Sequence, residues 1–386
     1  MFAVQLRRLQ RRIAPTRIGY YYAILRARLA GKPLRKMLLV SDGLAYTSEQ
    51  QFAPIIRFAT SLAVQHGFVF RFMSVDKARS LGPAQLRGFT ALGLKFDFRT
   101  PPDQAIATAT HLLGLAKEAG VKALIFDGDD DQAILWPKVL GLCDGYIKKH
   151  VFSDLKTYQK TFIGKSNLTD YTARNFDFAF ADDIIPATGP VDPADINRMV
   201  VGWNIALDDK IYELAKVTSQ PDPADKTVDV QCRASLAEDF WTFSMREAAV
   251  VAIRALPPKY KVHAPRDQVS QEEYHREMTS ARISVSPFGC GELCWRDFES
   301  ILAGALLVKP DMSHLTTQPD LFVAGETYAP VAWDYSDLEE VCARYLEDEP
   351  LRQKVVQQAR DRLLYALSQD WFLERFTDVM GQFDIK

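Results

Sequence analysis

From residue 37 onward, short apolar runs alternate with stretches of helical periodicity. MLLVSD (37–42) is an apolar run closing on polar turn residues, and a stretch of roughly 49–66 with helical spacing follows it. FVFRFMSV (68–75), a helical stretch near 103–119 and VKALIFDGDDD (121–131) repeat the alternation. A helix near 131–142 and the strand YIKKHVF (146–152) extend it. Strands that alternate with helices of this length predict parallel βαβ units, hence a Rossmann-like sheet.

IIPATGPVDPAD (184–195) breaks the rhythm with three prolines and a glycine, and reads as a hinge. A second alternating set opens at RMVVGWNIAL (198–207) and runs through VDVQCRAS (228–235), a helix of about 239–256, and ARISVSP (281–287). ALLVKP (305–310), a strand near TYAPVAW (327–333) and two helices of about 350–367 and 370–382 complete it. The predicted architecture is α/β: two Rossmann-like domains facing across a cleft. Its parts are a basic segment (1–36), a first domain (37–190), a second domain (191–370) and a closing helix (371–386) that can pack back on the first. In such sheets ligands sit beyond the carboxyl ends of the strands, so chemistry is sought in those loops.

The first 36 residues differ from the rest. They hold ten Lys or Arg and no acid before Asp42. Phe2, Leu6, Leu9 and Ile13 recur at helical spacing, and after Pro15 so do Ile18, Tyr21, Leu25 and Leu29. A basic amphipathic segment with aromatic residues fits an anionic membrane surface, so peripheral membrane contact through residues 1–30 is expected. The alternatives are a tail packed on its own domain and a transit peptide, the latter disfavoured by the scarcity of serine. No signal-peptide core and no apolar run of spanning length appear, which points to a cytoplasmic protein on the inner face of a membrane.

Charge and cysteines narrow the classes. A formal net charge of −2 over 386 residues argues against nucleic acid as a partner. The five cysteines are scattered, with no paired spacing of a zinc site, so free thiols in a reducing compartment and no bound metal are expected.

The densest chemistry lies in SPFGCGELCWRDFESILAGALLVKP (286–310). Gly289 and Gly291 stand between a strand and a helix, where backbone N–H groups can approach an anion. With a helix starting near Glu292, that residue, Arg296 and Glu299 share one face, and Trp295, Phe298 and Leu302 another. Two readings follow. The bland one is an intrahelical ion pair between Arg296 and a glutamate. In the other, Arg296 forks onto a phosphate and Glu299 takes the hydroxyls of a ribose.

The run from Ser286 through Arg296, Glu299, Ala303 and Gly304 to Lys309 resembles the donor-binding segment of GT-B glycosyltransferases of the exostosin-like and group 1 kinds. The resemblance covers roughly 228–345; the N-terminal half matches in architecture only. It implies a nucleotide-sugar substrate, with Glu299 on the ribose, Arg296 on the diphosphate and Lys309 as a further phosphate ligand, and no separate cofactor. In retaining group 1 enzymes two glutamates stand eight apart, the first just before Phe-Gly. Here that place is Ser286, and Glu292 is seven before Glu299, so the departure favours inversion.

Other residues are candidates beside these. Arg233, after the VDVQC strand, can neutralise a leaving diphosphate or form a surface ion pair. His263 and His314 follow apolar strands and can touch the donor, or be structural. An inverting transfer needs a base from the first domain, and Asp42, His150 and Asp129 in the Asp127–Asp131 turn are the candidates. Asp129 and Asp131 form a DxD, read as capping or acceptor contacts and not as a metal site. Lys148 and Lys149 can hold an acidic acceptor or simply be solvated. The expected function is glycosyl transfer onto a glycan or lipid-linked acceptor, in surface polysaccharide or glycolipid synthesis. A sugar-nucleotide 2-epimerase of the same fold and a non-catalytic nucleotide-binding protein are the alternatives.

Overall fold

Met37–Val40 are all fully buried, which an apolar run achieves only inside a sheet covered on both faces. The computed structural model describes residues 12–43, 50–180, 190–218, 221–237 and 240–385. In it, β1 (Arg35–Ser41) lies between β2 (Phe68–Ser74) and β3 (Ala91–Lys95), followed outward by β4 (Lys122–Asp127) and β5 (Gly145–Lys148). All pairings are parallel. The helices α1 (Arg17–Leu29), α2 (Ala53–His66) and α3 (Pro102–Ala119) belong to this domain. Gly67 ends α2 with φ of 76°, and a β-carbon there would come within 2.0 Å of the Pro33 carbonyl oxygen. Only glycine meets both demands.

One expected boundary is corrected. Met199–Val201, placed in the second domain by the rhythm of the sequence, forms β7 and pairs with Tyr146–Lys148 as the sixth strand of the first sheet. Three residues cannot nucleate a sheet alone, whereas the open edge of β5 gives them a ladder. Trp203 then anchors the strand: it is fully buried, and its indole N–H donates to the Gln51 carbonyl at 3.0 Å. The first domain therefore runs through Trp203. The helix expected near 131–142 shrinks to a single turn, Pro137–Leu140, after the acidic loop. Between them, β6 (His150–Phe152) leaves the sheet and α4 (Asn167–Phe176) follows. The hinge expected at 184–195 lies partly outside the described residues.

After α5 (Asp209–Val217), the second sheet repeats the strand order of the first. Its strands are β8 (Val228–Gln231), β9 (Val262–His263), β10 (Ala281–Val285), β11 (Leu306–Pro310) and β13 (Ala329–Val331), in spatial order β13-β11-β10-β8-β9. Helices α6 (Phe243–Arg254), α7 (Gln271–Thr279), α8 (Trp295–Leu302), α9 (Leu338–Glu347) and α10 (Glu349–Ala366) accompany it. In both sheets the chain lays a second strand on one side of the first and then switches to the other side. The switch points fall between β1 and β3 and between β8 and β10.

The two domains are joined in three ways. β12 (Leu315–Thr317) pairs antiparallel with β6, Leu315 against Phe152 and Thr317 against His150. The last helix, α11 (Gln369–Gly381), lies against the first domain: Phe372 stacks on Phe58 at 5.5 Å and Phe376 meets Phe68 edge-on at 5.1 Å. A single apolar cluster then runs from Met37, Phe126 and Trp203 through Phe372 to Phe298 and Tyr328.

The helix α1 packs through small residues, not through the apolar stripe. Ala23 and Ala27 are buried against Ala63 and Val69, and Gly19 against Ile13 and Ala14, while Ile18 and Leu29 are each 75% exposed and Tyr21 66%. The first stretch of the expected amphipathic segment, with Phe2, Leu6 and Leu9, lies outside the described residues.

Candidate functional site

A cavity of about 460 Å³ opens between the domains at the switch point of the second sheet. The loops after β8 and β10, the start of α8 and the acidic turn of the first domain surround it. Glu299, one turn into α8, is 3% exposed and aims its carboxylate at this space. Tyr274 Oη donates to its Oε2 at 2.8 Å, and Lys210 Nζ lies 2.7 Å from Oε1. Burial works against the charge of Glu299, but His275, Lys210 and Tyr274 outweigh it and hold the carboxyl down at about 2. Lys210 also stands 5.0 Å from the ring centre of Trp295, which lines the same wall.

Three arginines line the same cavity: Arg233, Arg246 and Arg296. Arg233 is 8% exposed and forks onto Glu277, with Nη2 donating at 2.7 Å, while Asp267 is its second partner. Arg296 is tied to backbone, Nε donating to the Arg233 carbonyl at 3.0 Å and Nη1 to that of Pro287 at 3.2 Å. Arg246 donates to the Ser235 carbonyl at 2.9 Å. Burial, and then the nearby charge of Arg296, lower its pKa from the usual arginine value. Like charges this close raise the free energy of the empty site and favour an anion in it.

The loop Gly289–Gly291 lines the cavity but also presses on the other domain. A β-carbon on Gly291 would fall 1.8 Å from the Asp130 carbonyl oxygen. Beyond this contact Glu292 is fully buried and lies outside the cavity. Its Oε2 is 3.5 Å from His150 Nε2 and its Oε1 3.4 Å from His314 Nε2. The expected helix start near Glu292 is corrected: α8 begins at Trp295, because the Asp297 carboxylate accepts the Cys294 N–H at 2.8 Å and caps the turn there. Glu292 therefore does not share a helical face with Arg296 and Glu299. Trp295, assigned to the core face, is half-buried and lines the cavity, while Phe298 and Leu302 are fully buried.

Among the other predicted residues, the structure brings Arg233, Gly289, Gly291, Arg296 and Glu299 together and leaves the rest outside. Lys309 is fully buried and its Nζ lies 3.1 Å from Asp297 Oδ1 and 5.0 Å from the Phe288 ring centre; no phosphate can reach it there. His263 pairs with Glu277 at 3.0 Å, behind Arg233. His314 packs edge-on against Trp333.

The candidate bases are placed as follows. Asp42 accepts the Asp97 N–H at 2.6 Å and the Thr100 hydroxyl at 2.8 Å. His150 is fully buried in the domain seam, and burial pushes its pKa down. Asp129 is held by Lys165 at 2.6 Å, which also reaches Asp131 at 3.2 Å. Lys148 is buried on Asp127 at 2.9 Å, so the solvated alternative fails for it, as it does for Lys149. It is Asp130, between the two buried acids, that lines the cavity, with Lys149 Nζ 3.1 Å from its Oδ1. Among the described residues no three His, Cys, Asp or Glu side chains cluster as a metal site would require.

Sequence reasoning missed Lys210, Arg246 and Tyr274, and within the acidic turn it singled out Asp129 and not Asp130. Arg246 and Tyr274 sit on helices with ordinary amphipathic patterns, and three consecutive aspartates give no hint of which one faces the cleft.

The two sheets with their facing switch points are the GT-B arrangement. The family model described as "Glycosyl transferase-like" matches residues 245–378, which hold β10, α8 and β11. Residues 245–378 are thus similar to glycosyltransferases. No curated protein compared with it matches. Among solved structures it is similar to HepE of Anabaena in complex with UDP, at 11% identity and TM-score 0.48, over 90% of this chain and 100% of that one. A glycosyltransferase from Rickettsia africae matches at 10% identity and TM-score 0.47, over 91% and 98% of the two chains. WaaG, a glycosyltransferase involved in lipopolysaccharide biosynthesis, matches at 14% identity and TM-score 0.41, over 90% and 99%.

Proposed function

We propose that the protein transfers a sugar from a nucleotide-sugar donor to an acceptor hydroxyl, with inversion at the anomeric carbon and without a metal. The observation that carries the reading is the lining of the cavity itself: three arginines and one ionised carboxylate border a space of about 460 Å³. A nucleoside diphosphate presents the matching pair, two phosphates and a ribose diol. The Glu299 carboxylate accepts from the diol, and Arg233, Arg246 and Arg296 surround the diphosphate.

Asp130 stands on the other side of the cavity and is the base of this scheme. Its carboxylate takes the proton of the acceptor hydroxyl as the oxygen bonds to the anomeric carbon. The bond from that carbon to the diphosphate oxygen breaks, and the electron pair leaves with the diphosphate. The arginines take up that charge in a site already oriented for it. Lys149, 3.1 Å from its Oδ1, holds the Asp130 carboxylate in place.

The acceptor in this reading is a glycan or lipid-linked molecule of surface polysaccharide or glycolipid synthesis, met at an anionic membrane surface. The exposed Ile18, Tyr21, Leu25 and Leu29, flanked by Arg17, Arg26 and Arg28, support the surface contact. No helix among the described residues is long and apolar enough to cross a membrane.

A thermal-shift panel of UDP, GDP, ADP and CMP, with and without EDTA, tests the donor site. One diphosphate stabilises the wild type with EDTA present, and Glu299→Gln abolishes the shift. Absence of any nucleotide effect on the wild type overturns the reading, and an effect that needs a divalent ion overturns its metal-free part.

A further inference from the structure

A second cavity, of about 720 Å³, opens at the switch point of the first sheet, where β1, β2 and β3 end. The donor reading does not use it. Leu39, Phe72 and Met73 of the sheet line it, as do Ile56 of α2 and Phe52 just before that helix. Ser41, Ser74 and Lys95 give it a polar edge, and Arg12 and Pro15, from the segment that leads into α1, close its far side. Open α/β sheets bind ligands in the crevice at this position of the strand order. The volume falls within the ~300–1,000 Å³ of small-molecule sites.

The two cavities adjoin. Gln50 lines both, and Asp208 of the apolar cavity is two residues from Lys210 of the interdomain one. Polar groups, Asp208 and Asp209 among them, also line the cavity, but most of its surface is apolar, and a free sugar would leave that surface uncovered. An alkyl chain would gain there with every methylene removed from water.

We propose that this cavity binds the aliphatic part of an amphiphilic acceptor, whose hydroxyl-bearing end points past Gln50 into the interdomain cavity. The proposal rests on the glycosyl-transfer reading and specifies its acceptor class: a hydroxylated molecule with an aliphatic tail, not a free sugar. It also gives the exposed α1 a purpose, since the segment entering that helix borders the cavity that receives the tail.

Titration calorimetry of the full chain with butyl, hexyl and octyl β-D-glucosides below their micellar concentrations, and with glucose, tests it. Wild-type affinity should rise about fourfold for each added methylene, as burial of a methylene implies, and glucose should bind undetectably. Ala53→Trp places an indole in the cavity and should flatten the series, and Ser74→Trp, at the exposed end of β2, should do the same if Ala53→Trp unfolds. A flat series in the wild type, or an unchanged slope in a folded variant, overturns the proposal. Nucleotide thermal shifts on the same preparations separate the two claims. Nucleotide binding with no slope sinks the acceptor site alone, and a slope with no nucleotide binding sinks the donor reading while the apolar site stands.

Discussion

Gly291 and Asp130 meet backbone to backbone across the two domains, with room for a hydrogen atom between them and not for a β-carbon. In Gly291→Ala the carbonyl of Asp130 cannot yield as a flexible side chain would. The variant should lose about 1–3 kcal/mol of stability, the usual cost of overpacking. Small-angle scattering should also show a larger radius of gyration. Unchanged denaturation and scattering would mean that the seam is not closed in solution.

The ionised Glu299 predicts an acid limb to stability. Its folded pKa, about 2, lies below the value of about 4.5 for a free glutamate, so the stability it contributes is present above pH 4.5 and is lost as pH falls toward 2. Glu299→Gln should therefore be less stable than wild type at pH 7, by roughly 2–3 kcal/mol given the size of that shift. The difference should shrink as pH falls below 4.5 and close only near pH 2. Urea denaturation of both proteins between pH 2 and 7 checks it, and a gap of the same size at pH 3 as at pH 7 would contradict the assignment.

Arg246 and Arg296 should part ways under substitution. Arg246→Ala should weaken nucleoside diphosphate binding about 10- to 100-fold, the loss of one charged hydrogen-bonding group. It should affect the corresponding nucleoside much less. Arg296→Lys should fail as badly as Arg296→Ala, because an ammonium cannot reach the Arg233 and Pro287 carbonyls together as the guanidinium fork does. Calorimetry with UDP and uridine, or the matching pair for whichever base binds, reads both effects.

Lys309→Ala should act on folding and not on binding. It strands Asp297 without its buried counter-charge, and breaking such a pair costs roughly 3–5 kcal/mol. Fully folded protein at low temperature should still bind nucleotide with wild-type affinity. A selective loss of affinity would restore Lys309 as a phosphate ligand.

Much of this was legible in the primary structure. Fully apolar runs such as Met37–Val40 and Leu306–Val308 announce buried parallel strands, and the helices between them announce the crossover topology. Glu299 and Arg296 were legible because a strand, a glycine turn and a charged helix start rarely coincide without a ligand. Glu292 was misread because a short local bond, Asp297 to the Cys294 N–H, starts α8 three residues late. Met199–Val201 was misassigned because strand partnership is non-local: the prolines that suggested a hinge precede a strand that returns to the first sheet. The distinction among Asp129, Asp130 and Asp131 depends on Lys165 and Lys149 approaching from distant segments, and no local pattern encodes that.

The packing of α11 on α2 and β2 has a consequence for how the protein is made. Phe376 is fully buried against Phe68 and Phe70, which are translated some 300 residues earlier. Domains generally fold as they emerge, N-terminal first. Here the domain that emerges first cannot seal its own core until the second has been synthesised and α11 has emerged. A nascent chain stalled before Phe372 would present an open aromatic groove.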